Sequence, residues 1–136
     1  MKLHLVSAAL LFIILAGCGL EDKTPPASRG IINVSPSEAK ALLDNKERND
    51  LFVLNVHTPY EGKLEKTDAI IEDWENISAH LDQLPQDKTS PLLVYCRSGR
   101  MSSVAVAQLQ KLGYTNIYHL NGGMNAWKSA GYAVID

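Results

Sequence analysis

A single segment concentrates the residues able to do chemistry: Cys96-Arg97-Ser98-Gly99-Arg100-Met101-Ser102. It follows the apolar run Leu92-Leu93-Val94-Tyr95 and leads into a helical pattern near Ser102. Gly99 permits backbone conformations in which successive N–H groups converge. The helix that follows adds partial positive charge at its N-terminus, and Arg97 and Arg100 add two full charges. Thiols in such fields fall to about 3.5–7.5 from about 8.5, and the same cradle suits an anion. The segment therefore predicts a nucleophilic thiolate at Cys96 beside a site for an anionic substrate or intermediate. The plain reading is a buried structural cysteine flanked by surface arginines. Two further residues are candidates: His57 as an acid–base group, with an unperturbed pKa of about 6.5, and Glu61 as an organiser of the loop they share. Their plain readings are a hydrogen-bonding loop histidine and a solvated carboxylate.

The elements that must position this segment alternate between strand and helix. Ile31-Ile32-Asn33-Val34 is a short strand. Ser35-Pro36-Ser37-Glu38 is a helix start, with Ser35 as the cap, Pro36 in the first turn and Glu38 as its capping-box partner. Ala39, Leu42 and Leu43 supply that helix with an apolar face. Leu51-Phe52-Val53-Leu54 and Leu92-Leu93-Val94-Tyr95 are continuous apolar runs, as strands buried on both faces require. Ile70-Ile71 is a very short strand candidate. Ile77, Leu81 and Leu84 have helical spacing, stopped by Pro85. Residues 102–112 form a helix closed by Gly113. Ile117-Tyr118-His119 is a last strand, and Asn121-Gly122-Gly123 turns into a short helix through Trp127. His119 reads as architecture, Trp127 as core, and Gly122-Gly123 as a turn. The glycine pair is no phosphate loop, because Gly-x-Gly-x-x-Gly is absent. Strands separated by helices imply parallel pairing with helices on both faces, and such sheets bind ligands at the carboxyl ends of their strands.

The amino-terminal residues belong to another class. Residues 1–17 contain no acid, start Met1-Lys2, run apolar over residues 5–15 and end in small residues before Cys18. That run is too short for a bilayer span, which needs about 20 residues, and the pattern is that of a secretory signal peptide. Leu15-Ala16-Gly17-Cys18 resembles the bacterial lipobox, which implies acylation of Cys18 and firm membrane attachment. Gly19 in place of an Asp points to the outer membrane in a Gram-negative cell. Residues 18–29, with Pro25-Pro26, read as a lipidated tether, and residues 30–136 as the domain. The expected location is extracytoplasmic: the periplasmic side of the outer membrane in a Gram-negative cell, the outer face of the cytoplasmic membrane otherwise.

Within residues 30–136 the chain resembles the rhodanese family of single-domain sulfurtransferases. The segment from Cys96 to Ser102 resembles that family's active-site loop. Leu120-Asn121-Gly122-Gly123-Met124-Asn125-Ala126-Trp127 with Gly131 resembles its Gly-Gly…Ala-Trp…Gly block, and Val56-His57-Thr58-Pro59-Tyr60-Glu61 the segment after its second strand. The resemblance implies a three-layer α/β/α domain around a mainly parallel sheet of about five strands. It also implies sulfur transfer through a Cys96 persulfide, from a small anionic donor such as thiosulfate to a thiol or cyanide, without cofactor or metal. Cys96 is then the nucleophile, and Arg97, Ser98, Gly99, Arg100, Met101 and Ser102 line the anion. Asn55-Val56-His57 departs from the family's Asp-Val-Arg, and residues 63–69 replace its Gly-His-Ile-Pro-Gly-Ala stretch. Phosphatases of the Cys-x5-Arg type need an arginine where this chain has Ser102. A second function class, a thiol-based redox-sensing or partner-binding module without turnover, uses the same cysteine.

Composition bounds the remainder. The 136 residues hold 13 Lys+Arg against 15 Asp+Glu, a net charge of -2, so nothing marks a nucleic-acid surface. A 46% hydrophobic share excludes a disordered chain. Two cysteines neither build a disulfide scaffold nor fill a four-thiolate zinc site. His57, His80 and His119 share no metal-ligand spacing.

Overall fold

The computed structural model describes residues 30–136. The expectations for residues 1–29, including the signal segment, the tether and acylation of Cys18, lie outside the described residues. Five strands, β1 (Ile31–Val34), β2 (Phe52–Asn55), β3 (Ala69–Ile70), β4 (Leu92–Tyr95) and β5 (Ile117–Leu120), form one sheet in the order β1-β5-β4-β2-β3. Every pairing in it is parallel. Four α-helices accompany them: α1 (Pro36–Asp44), α2 (Lys46–Asn49), α3 (Arg100–Lys111) and α4 (Gly123–Ser129).

The central strand β4 shows why the domain has three layers. Side chains alternate across a strand. Leu92, Val94 and Cys96 pack with Ala105, Val106 and Leu109 of α3. Leu93 and Tyr95 pack on the other face with Ala39 and Leu43 of α1 and Met124 and Trp127 of α4. All four residues of β4 are fully buried, as an apolar run without alternation implies. Cys96 continues the alternation one step past the strand, and this places its thiol on the α3 side of the sheet.

The local signals are realised in detail at α1. Ser35 is the N-cap, its hydroxyl accepts from the Glu38 N–H, and the Glu38 carboxylate accepts from the Ser35 N–H at 2.7 Å. Trp127 is core as expected, 4% exposed, with its indole N–H donating to the Ala133 carbonyl at 2.9 Å. Gly113 closes α3 in the left-handed region at φ 97°.

Several elements differ from the sequence reading: β2 lies one residue later than Leu51–Leu54 and β3 one residue earlier than Ile70–Ile71. The spacing of Ile77, Leu81 and Leu84 produces a 3₁₀ helix over Ile77–Gln83, with non-helical angles at His80. The polar stretch before β2 holds the short helix α2, ended by Asp50 at φ 50°. Helix α3 starts at Arg100, two residues ahead of Ser102, which brings its first turn onto the cysteine segment.

Candidate functional site

The Cys96 segment leaves the carboxyl end of β4 and enters α3 through Gly99, which lies at φ 97°. That conformation favours glycine, and it turns the Gly99 N–H onto the Cys96 sulfur at 3.0 Å. The Ser102 hydroxyl reaches the same sulfur at 3.3 Å from the first turn of α3. Burial alone would push the thiol up. Hydrogen bonds from Ser102, Gly99 and Ser98 outweigh it, and the thiol lies below its ordinary value. The cause is therefore local hydrogen bonding rather than the guanidinium charges that the sequence invited. Arg97 instead donates to Glu61 at 3.2 and 3.3 Å, and Arg100 is exposed. Met101 is half-buried against the apolar side of the α3 face.

The segment is held from beneath by α4. The N–H groups of Met124 and Asn125 donate to the carbonyls of Cys96 and Arg97, each at 2.9 Å. Turning those carbonyls down leaves the following N–H groups free to face the thiol. The approach is close enough to exclude any side chain at Gly123: a Cβ there would lie 2.4 Å from the Cys96 carbonyl oxygen and 2.6 Å from that of Arg97. The glycine pair is more than a turn, since it admits the clamp under the cysteine.

His57 and Glu61 come together, and Glu61 is joined to the cysteine segment through Arg97. His57 is 4% exposed and its Nε2 bonds the Glu61 carboxylate. That bond, aided by Arg97 against a smaller opposing effect of burial, holds Glu61 below the usual carboxylate range. Asn55 organises the base of this loop. Its Oδ1 accepts from the His57 N–H at 2.9 Å and its amide donates to the Gly62 carbonyl at 3.1 Å. Beside Arg97 opens a cavity of about 460 Å³ lined by Glu61, Arg97, Met124, Asn125, Lys128 and Val134.

His119, which the sequence reads as architecture, lies against the cysteine segment. It is 8% exposed, and its Nε2 lies 2.7 Å from the Ser102 hydroxyl. Its Nδ1 lies 3.0 Å from Oδ1 of Asn33 on the neighbouring strand β1. The one available signal was a histidine at the end of a strand whose neighbour carries the cysteine. Among the described residues no cluster of His, Cys, Asp or Glu is arranged to hold a metal ion.

The chain is similar to known proteins in sequence and in fold. It is 32% identical over 114 residues to the "Probable adenylyltransferase/sulfurtransferase MoeZ" of Mycobacterium tuberculosis, covering 81% of this chain but 28% of that protein. It is 30% identical over 104 residues to a protein named "Sulfurtransferase" of Allochromatium vinosum, covering 74% of this chain and 91% of that one. Among solved structures, the polysulfide-sulfur transferase homodimer of Wolinella succinogenes matches at a TM-score of 0.63 and 24% identity, over 78% of this chain and 79% of that one, which shows the fold. The rhodanese-related protein of Thermoplasma volcanium matches at a TM-score of 0.61 and 25% identity, over 76% and 97%. The model of the rhodanese-like domain matches residues 35–130, which takes in both the cysteine segment and its glycine clamp, and the chain belongs to the rhodanese-like family.

Proposed function

We propose that this protein is a sulfurtransferase that carries a sulfane sulfur on Cys96 by double displacement. The observation that carries the reading is the Cys96 thiol itself, bonded by the Gly99 N–H and the Ser102 hydroxyl at the mouth of the sheet. The thiolate attacks the outer sulfur of thiosulfate, the S–S bond of the donor breaks, and sulfite leaves with its electron pair. The persulfide formed keeps one negative charge on its terminal sulfur, where the segment's N–H groups stabilise it. Cyanide or a thiolate then takes that sulfur and returns the Cys96 thiolate.

Cys96 is 1% exposed. A slender donor reaches such a thiol, whereas a bulky disulfide partner does not, and this favours sulfur transfer over a sensor that forms mixed disulfides. Arg97 and Lys128 beside the cavity attract an anionic donor. Serine at position 102 leaves no arginine to grip a transferring phosphoryl group, which argues against a phosphatase.

The test is direct. The domain is incubated with thiosulfate and cyanide, thiocyanate is measured, and the mass of Cys96 is read after thiosulfate alone. The expected result is thiocyanate formation and a Cys96 one sulfur atom heavier. Neither product with thiosulfate, polysulfide or another sulfane donor defeats the proposal. The proposed location is extracytoplasmic, with the chain anchored through acyl groups on Cys18. Its motivation is the sequence Leu15-Ala16-Gly17-Cys18. Fatty-acid labelling of cells should be lost in Cys18→Ala, and unchanged labelling refutes the anchor.

A further inference from the structure

Four side chains, from the cysteine segment, α3, β5 and β1, form one hydrogen-bonded line. It runs from Cys96 Sγ to Ser102 Oγ at 3.3 Å, from Ser102 Oγ to His119 Nε2 at 2.7 Å, and from His119 Nδ1 to Asn33 Oδ1 at 3.0 Å. Ser102 is wholly buried and His119 nearly so, while Asn33 closes the line at the exposed edge strand.

The chemistry of the donors fixes how protons can sit on this line. With the Asn33 carbonyl oxygen facing it, Nδ1 of His119 is assigned the proton, because that oxygen accepts only, and Nε2 is left to exchange one with Ser102. A serine hydroxyl has one proton, so it cannot donate to Nε2 and to sulfur at once. Two arrangements satisfy every atom. In the first, the Cys96 thiol donates to Ser102 Oγ, and the Ser102 hydroxyl donates to a neutral His119. In the second, a protonated His119 donates to Ser102 Oγ, and the hydroxyl donates to the Cys96 thiolate.

We infer that Ser102 and His119 form a proton relay that ionises Cys96, with Asn33 holding the imidazole in its working tautomer. The inference rests on the reading of Cys96 as the nucleophile. The step balances without another reactant. The S–H bond of Cys96 breaks as an O–H bond forms at Ser102, the original Ser102 O–H breaks as an N–H forms at His119 Nε2, and charge separates into thiolate and imidazolium. No electron is exchanged. When an acceptor returns the Cys96 thiolate, the proton is already stored two bonds away. His119 acts through Ser102 and is therefore a positioning residue in sulfur transfer.

The surroundings agree. The groups facing His119 are Asn33 on β1, Val94 on β4, Ser102 on α3 and the backbone of Gly99, none of them charged. Burial holds His119 below its ordinary value, partly offset by the Gly99 backbone.

The test reads thiol ionisation, not sulfur transfer. The rate of Cys96 alkylation by iodoacetamide is measured against pH in the domain and in Ser102→Ala, His119→Gln and their double variant. Each single variant is expected to shift the acid limb of the profile upward by about one pH unit, a roughly tenfold lower rate at fixed pH on that limb. In the Ser102→Ala background His119→Gln should add nothing, because the line is already cut. A His119→Gln profile that superimposes on the parent, or a double variant whose loss is the product of the two singles, overturns the relay. Asn33→Asp tests it from the surface, where folding is not at stake. A carboxylate there favours the imidazolium, so alkylation should extend to lower pH, and an unmoved profile overturns the relay. If these shifts appear while no sulfane donor yields thiocyanate, the relay stands and the sulfurtransferase reading falls.

Discussion

Two loops leave the carboxyl ends of the adjacent parallel strands β4 and β2, and they are held in opposite ways. Residues 96–99 are fixed by main chain: carbonyls of Cys96 and Arg97 accept from Met124 and Asn125, and the Gly99 N–H faces the thiol. Residues 56–62 are fixed by side chains: Asn55 binds both His57 and Gly62, and Glu61 joins His57 to Arg97. Main-chain groups are the same for every residue type, so the first loop depends on where glycine permits a close approach. A side-chain network can be rebuilt from other residues. The second loop accordingly is where Asn55-Val56-His57 departs from the pattern that the sequence resemblance leads one to expect.

The largest effect expected from this contrast is chemical. Cys96→Ala should reduce thiocyanate formation to the uncatalysed background with the melting temperature kept, and residual turnover would move the chemistry out of this loop. Next comes the clamp. Gly123 lies at φ 58°, and a Cβ meets two carbonyl oxygens within 2.6 Å. Gly123→Ala should cost about 3 kcal/mol or more, because left-handed strain and overpacking each cost about 1–3 kcal/mol. Gly131→Ala is the control, since its φ is 90° but a Cβ there meets nothing within 4 Å. Equal losses of Tm in the two would show that no close approach is at work. Asn55→Ala should cost about 2 kcal/mol by leaving the His57 N–H and the Gly62 carbonyl unpaired, yet leave iodoacetamide reactivity of Cys96 unchanged. A large loss of reactivity would join the two loops into one unit.

The pH profile separates the loops further. Cys96 lies below its ordinary value, and the thiolate is the reactive form. Alkylation should therefore rise with pH through that depressed pKa, reach a plateau above it, and fall away below it. Glu61→Gln should leave that profile in place, because the hydrogen bonds that set it come from Ser102, Gly99 and Ser98. The smallest effect is on donor binding. Glu61→Gln releases Arg97 from its partner and should lower KM for thiosulfate by a factor below about ten, an effect that fades with added salt. An unchanged KM at low salt would remove Arg97 from the donor's path.

Most of the frame was legible in the sequence, because its signals are local. Ile31-Ile32-Asn33-Val34 and Leu92-Leu93-Val94-Tyr95 are strands to the residue, and Ser35 with Glu38 forms the capping box. Helix α2, Lys-Glu-Arg-Asn, was illegible because it has no apolar face to reveal a period. The spacing of Ile77, Leu81 and Leu84 gave helical sense but not its 3₁₀ pitch. The cysteine segment was legible from residue types alone, whereas the origin of its acidity was not: distances decide between guanidinium charge and a serine hydroxyl. The contacts of His119 stayed hidden for the same reason. Its partners Asn33 and Ser102 stand 86 and 17 residues away, and only the placement of β5 between β1 and β4 brings them to it.

The uniform direction of the five strands also gives the domain a front and a back. Cys96 follows the carboxyl end of β4, and Gly30 precedes the amino end of β1. In a parallel sheet these are opposite ends. The chain ahead of Gly30 therefore joins the domain at the end of the sheet opposite Cys96. On the proposed anchor and the proposed sulfur transfer, attachment through that end would leave the cysteine segment, and with it the Asn33–His119 line and the α4 clamp, on the side away from the attachment.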